Sequence, residues 1–206
     1  MEKINTRYFN RLYSIYRNRL PSSIKNKIYS TYIELVNQNG RVLGFVPEEL
    51  RDYNMCMTAI KQDWEALRFV PKELLEYKDI GIAAVNKNGF ALEFVPEELR
   101  DYDICIAAVK QTGDALQYVP EKLRDYTMCM TAVNQDSAAL RFVPKELPEY
   151  KDICMAAVKQ DGDALKYVPP ELRDYNICIA AVKQYRYALR FVPPELQPKI
   201  KEELGF

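Results

Sequence analysis

The chain has 206 residues, 48% of them apolar and 28% charged, with 29 basic side chains against 29 acidic ones, a composition typical of soluble globular proteins. Histidine is absent, which removes His-based acid–base catalysis, Ser-His-Asp and Cys-His nucleophiles and His-ligated metals. No apolar run approaches the roughly 18 residues that span a bilayer, and charges stand where a signal peptide would be apolar, so a cytoplasmic protein without a membrane segment is expected.

Residues 1–30 carry Lys3, Arg7, Arg11, Arg17, Arg19, Lys25 and Lys27 against Glu2 alone, a net of +6 that the remaining chain balances. Ile4, Tyr8, Leu12, Ile15, Tyr16 and Leu20 recur there at helical spacing, which predicts a basic capping helix with one face on the first repeat. The alternative is a site for nucleic acid, an acidic partner or a membrane surface. Arg7, Arg11, Arg17 and Arg19 are its candidate contacts, since Arg interleaved with Tyr suits phosphate and base stacking.

From residue 20 onward the chain is repetitive. Val-Pro pairs begin at Val46, Val70, Val95, Val119, Val143, Val168 and Val192, so the spacing is 24 or 25 residues throughout. The two 25-residue copies carry the inserted dipeptides Lys78-Asp79 and Lys151-Asp152, 73 residues apart, and most positions of 46–118 recur in 119–191. This suggests a duplicated block of three repeats. Units this small cannot bury an apolar face alone and must stack. The expected organisation is a capping region over 1–30, one solenoid domain over 20–192 and a C-terminal cap over 193–206.

Within a unit, a run such as Asp103–Gln111 (DICIAAVKQ) fits a buried strand or a buried helix. The Ala-Ala pair selects the helix, because alanine is the best helix former and a poor strand former. The Lys-Gln-x-Gly exit then supplies a cation in the last turn and a glycine for a left-handed helix end. A second, short or 3₁₀-like segment is expected to start at Val-Pro-x-Glu-Leu, with proline in its first turn. The fold class predicted is all-α: an α-solenoid of about seven stacked units, each with one helix and one short helical segment.

Cys56, Cys105, Cys129, Cys154 and Cys178 occupy one position of successive helices, with Gly81 in the sixth. One thiol per stacked helix makes a row spaced by about 8–10 Å, too far apart for a shared metal or a disulfide, so buried packing residues are expected and neither metal nor cofactor. The Arg-Asp-Tyr triplets at 51–53, 100–102, 124–126 and 173–175 predict ladders in which Asp caps the helix and Tyr packs between units. Recurrent acidic pairs such as Glu48-Glu49 are too regular for one active site. With no phosphate loop, metal spacing or nucleophile motif, no enzyme is expected.

The helix-exit turn is where copies differ: Asp63-Trp64-Glu65, Asn88-Gly89-Phe90, Thr112-Gly113-Asp114, Asp136-Ser137-Ala138, Asp161-Gly162-Asp163 and Tyr185-Arg186-Tyr187. Trp, Tyr and Arg dominate interface hot spots, which makes Trp64, Phe90, Tyr185, Arg186 and Tyr187 the candidate partner-binding residues. Ala107–Leu123 and Ala156–Leu172, with the pattern A-A-V-K-Q-x-G-x-A-L-x-Y-V-P-x-E-L (Lys122 standing at the Glu position of the first), resemble a bacterial and viral tandem-repeat family known only as a domain of unknown function, whose units read A-V-K-Q-N-G-x-A-L-x-Y-V-P-E-x-L. The resemblance covers about residues 31–196 and implies no catalytic residues. Trp64 and Arg186 depart from it where the pattern has glycine. The expected function is a non-catalytic module that recognises a protein partner through its variable turns, as an inhibitor or effector of another protein or as a scaffold. Nucleic-acid association through the basic segment is the alternative.

Overall fold

A computed structural model describes residues 6–206, with the side chains of 6–9 and 12 outside the description. The expectations placed on Lys3, Ile4, Arg7, Tyr8 and Leu12 therefore fall on residues or side chains that are not described. The chain divides into two compact units, one ending at Leu99 and the other running Arg100–Phe206. The first holds α1 (Thr6–Tyr16), α2 (Ser22–Gln38), α3 (Tyr53–Gln62) and α4 (Tyr77–Lys87). The second holds α5 (Tyr102–Gln111), α6 (Tyr126–Gln135), α7 (Tyr150–Gln160), α8 (Tyr175–Gln184) and α9 (Gln197–Leu204). The described residues contain no strand. Each unit is a stack of the same repeat: α2, α3 and α4 pack in succession in the first, and α5 to α8 in the second. The fold is the all-α repeat solenoid that the period and the Ala-Ala pairs predict.

The repeats that begin with α3, α4, α5, α6 and α7 each bury the same positions. In α6 these are Met128, Cys129, Ala132 and Val133, followed by Ala139, Leu140 and Val143, none more than 5% exposed. Each fully buried Leu, Ile or Met contributes about 1.5–3 kcal/mol. Asp52, Asp101, Asp125 and Asp174 cap their helices as expected, each accepting from the backbone N–H three residues on, for example Met128 N at 2.8 Å.

The connection differs from expectation in three respects. The second helical segment lies before Val-Pro rather than after it: six-residue 3₁₀ turns run Gly113–Tyr118, Ser137–Phe142 and Gly162–Tyr167, and only a three-residue turn such as Glu121–Leu123 follows the proline. Val-Pro is extended, because the pair falls between two turns. The residue leaving each helix is extended too, and where it is Asn or Asp its side chain caps the 3₁₀ turn: Asp136 accepts from Ala138 N and Asp161 from Asp163 N, each at 2.9 Å.

The glycines are the second difference. None of the helix-exit glycines is left-handed; among the described residues the one positive φ belongs to Gly205, which closes α9. Close packing is their reason instead. A Cβ on Gly40, Gly113 or Gly162 would stand 2.3, 2.4 or 2.2 Å from the carbonyl oxygen of Ala59, Ala132 or Ala181 in the next helix. Where the next helix within the unit is an eleven-residue one, α4 or α7, the position holds Trp64 or Ser137 instead.

The third difference is arginine. Arg124 donates to Val119 O at 2.9 Å and Gln117 O at 3.2 Å in its own repeat, and to Phe142 O at 2.9 Å in the next. Arg51 and Arg173 make the same three bonds. These guanidiniums fasten successive repeats through carbonyls that no helix satisfies. The long repeats lack the arginine; Tyr77 turns inward, 2% exposed, and its hydroxyl donates to Phe94 O at 3.0 Å. Last-turn glutamines add a second row: Gln135, Gln160 and Gln184 donate to terminal carbonyls of the preceding helix.

The ends replace these parts. Asn10 Nδ2 donates to Phe45 O at 2.8 Å, the place an arginine takes elsewhere, and accepts from the Tyr32 hydroxyl at 3.1 Å. Gln197 donates to Val192 O at 3.0 Å, five residues back, as each arginine does to its own valine. Tyr13 is buried, so α1 covers the turn Gly40–Phe45.

Candidate functional site

The frame consumes most of its own polar groups, so candidate surfaces are what remains exposed at the turns. In the first unit Trp64 is half-buried. It stacks on Phe94, centroids 6.2 Å apart and planes at 29°, with the Arg68 guanidinium 4.8 Å over the same ring. Trp64 is therefore a member of an aromatic–cation cluster, and Phe90, also half-buried, is the second residue of the turn Gly89–Phe94. The sequence did not single out Phe94, although an aromatic precedes each Val-Pro and marks where a tryptophan one repeat earlier could stack.

In the second unit Tyr185, Arg186 and Tyr187 leave α8 together. Tyr187 is 70% exposed and Tyr185 41%, with ring centroids 5.5 Å apart. The Arg186 guanidinium lies 4.2 Å over the Phe206 ring, which fixes its direction without burying it. Arg190, one turn on, pairs with Asp163 at 2.9 Å, and Asp163 also holds Lys166 at 2.6 Å. These cations keep the Asp163 carboxyl below the usual carboxylate range, the Lys166 bond first. Around the next Val-Pro, Pro170, Phe191, Pro193 and Pro194 line an open groove of about 510 Å³. The corresponding groove of the first unit, about 720 Å³, is instead acidic, with Glu48, Glu49, Asp52 and Glu73.

Of the candidate anionic-partner contacts, Arg17 pairs with Glu49 at 3.0 Å, and Arg11 and Arg19 are exposed with no ion pair among the described residues. Arg7 lies in α1, its side chain outside the description. The five cysteines are buried, with burial pushing Cys56 and Cys129 up to about 12 and Cys105, Cys154 and Cys178 up to about 11. Cys56, Cys129 and Cys178 donate to the carbonyl five residues back, at 3.5, 3.6 and 3.4 Å. No cluster of His, Cys, Asp or Glu suited to a metal occurs among the described residues, nor any helix long and apolar enough to cross a membrane.

The sequence model of one family, described as Domain of unknown function (DUF4116), matches residues 32–75, 77–124, 125–173 and 150–197. Each match spans about two of the structural repeats. No curated protein and no solved structure matches the chain.

Proposed function

The chain belongs to the DUF4116 family, and from its exposed turns we propose that it is a non-catalytic, cytoplasmic binding module that recognises a protein partner. The finer family pattern, units of about 24 residues with an A-V-K-Q-N-G core, belongs to the same proposal. The observation that carries the reading is the Tyr185–Arg186–Tyr187 turn. Equivalent turns in the same unit read Gly113-Asp114, Ser137-Ala138 and Gly162-Asp163, with a buried first residue. Here two tyrosines face solvent beside a guanidinium oriented by Phe206. Rigid aromatic and arginine anchors on a fixed scaffold are how interfaces concentrate affinity. Trp64 and Phe90 contribute in the first unit through the Phe94 cluster. An inhibitor or effector acting on another protein would use the same turns.

The experiment is a pull-down titration with Tyr185→Thr, Arg186→Gly and Tyr187→Asp combined, a turn restored to the sequence of residues 112–114. Loss of at least about tenfold in affinity is expected, since each anchor carries on the order of 2 kcal/mol. Unchanged binding refutes the reading. The exposed Arg11 and Arg19 favour nucleic acid as the second reading, and salt separates the two. Phosphate contacts by Z cations give a log–log slope near −0.9Z on duplex, whereas an aromatic-anchored interface responds weakly.

A further inference from the structure

Two positions are buried in every helix that follows another within its unit. One holds Met55, Ile80, Met128, Ile153 or Ile177, and the other Ala59, Ala84, Ala132, Ala157 or Ala181; none of these is more than 1% exposed. The Ala59, Ala132 and Ala181 carbonyls are where the preceding repeat makes its glycine contact. In α2 the same two positions hold Thr31, which is exposed, and Leu35, 42% exposed. Ile24, 44% exposed, and the half-buried Ile28 extend this stripe at i, i+4, i+7 and i+11. α2, the first helix of the stack in the first unit, thus leaves exposed an apolar stripe at positions that α3 and α4 bury, while α1 lies on the turn Gly40–Phe45.

Lys27 and Glu34, both exposed and in no ion pair among the described residues, stand seven residues apart on one flank of that stripe. Two helices related by a two-fold axis perpendicular to them place the same flank of each face to face. An axis near residue 30 therefore sets Ile24 of one copy against Leu35 of the other, and Lys27 against Glu34, twice over. The charge of the first unit does not oppose this, since the +6 of residues 1–30 meets a net −5 over residues 31–99. We propose that the Ile24–Ile28–Thr31–Leu35 face of α2 is the contact of a homodimer, in which α2 of a second copy runs antiparallel against it with reciprocal Lys27–Glu34 pairs.

The test is sedimentation velocity of the full chain across a micromolar concentration series, with helicity followed by circular dichroism. The wild type is expected to sediment as a concentration-dependent dimer. Leu35→Glu, at a position exposed enough to keep the fold, is expected to raise the dissociation constant at least about tenfold, because it brings two carboxylates against apolar surface. Glu34→Lys and Lys27→Glu are expected to weaken the dimer singly and to restore it together, which simple loss of apolar area would not do. A wild type that is monomeric throughout overturns the proposal, as does a dimer indifferent to Leu35→Glu or a double charge swap without rescue. A monomer that floats with phosphatidylserine vesicles, and loses this on Leu35→Glu, overturns it in favour of an anionic lipid surface.

Discussion

Replacing Arg124 with Met keeps the aliphatic stem and removes only the guanidinium. In the structure that group satisfies Val119 O, Phe142 O and Gln117 O at 2.9, 2.9 and 3.2 Å. Desolvation by burial lowers its pKa, so part of the gain from these bonds is spent on taking the charge out of water. A charge-assisted hydrogen bond nets about 1.5–3 kcal/mol and a neutral one about 0.5–1.5. For a half-buried site about 1 kcal/mol per bond is appropriate, giving a loss of about 3 kcal/mol. At about 2–4 °C per kcal/mol for a chain of this size, the melting temperature falls by roughly 6–12 °C. Thermal and urea unfolding followed by circular dichroism measure it. Arg124→Lys, which keeps one point donor but not the fork, is expected in between. A Met variant within about 0.5 kcal/mol of the wild type would refute the view that arginine fastens one repeat to the next.

Gly113→Ala puts a Cβ 2.4 Å from Ala132 O and is expected to cost about 1–3 kcal/mol in urea unfolding, as overpacked cores do, whereas Gly205→Ala, with nothing within 4 Å of its Cβ, costs about 1 kcal/mol through its positive φ alone. The five thiols should resist a thiol-specific reagent at pH 8 until the chain is unfolded; fast labelling of the native protein would contradict their burial. Because folding raises their pKa from 9.0 to about 11–12, the folded state holds protons that the unfolded state releases. The stability they contribute is intact below pH 9 and lost as pH climbs toward 11–12, so the urea midpoint should fall over that window, less so with Cys129→Ala. Asp125→Ala removes the cap on Met128 N and should cost about 1 kcal/mol in the same assay.

The repeat period, the Asp caps and the helix were legible because each leaves a local mark: a spacing, a residue before an apolar run, the pair Ala107-Ala108. What escaped is set by neighbours one repeat away. Gly113 is glycine because of Ala132 O, nineteen residues on, and a local reading assigns it to a left-handed turn it does not make. Arg124 looks like half of a surface pair with Asp125, yet it reaches Phe142 O, eighteen residues away. Trp64 is a candidate anchor by residue type, and its own turn does not name the ring it meets; the structure lays it on Phe94, thirty residues on. Tyr187, by contrast, is exposed in the place where variation between copies put it.

Incorporating a photo-crosslinking amino acid in place of Tyr187, and separately in place of the frame tyrosines Tyr53 and Tyr126, tests most directly whether recognition resides in the turns. All three are surface positions, at 70%, 39% and 41% exposure, so reactivity alone does not separate them. Irradiation in cell extract is predicted to give a discrete, competable protein adduct from position 187 and none from 53 or 126. Adducts from the frame positions with none from 187 would contradict the account.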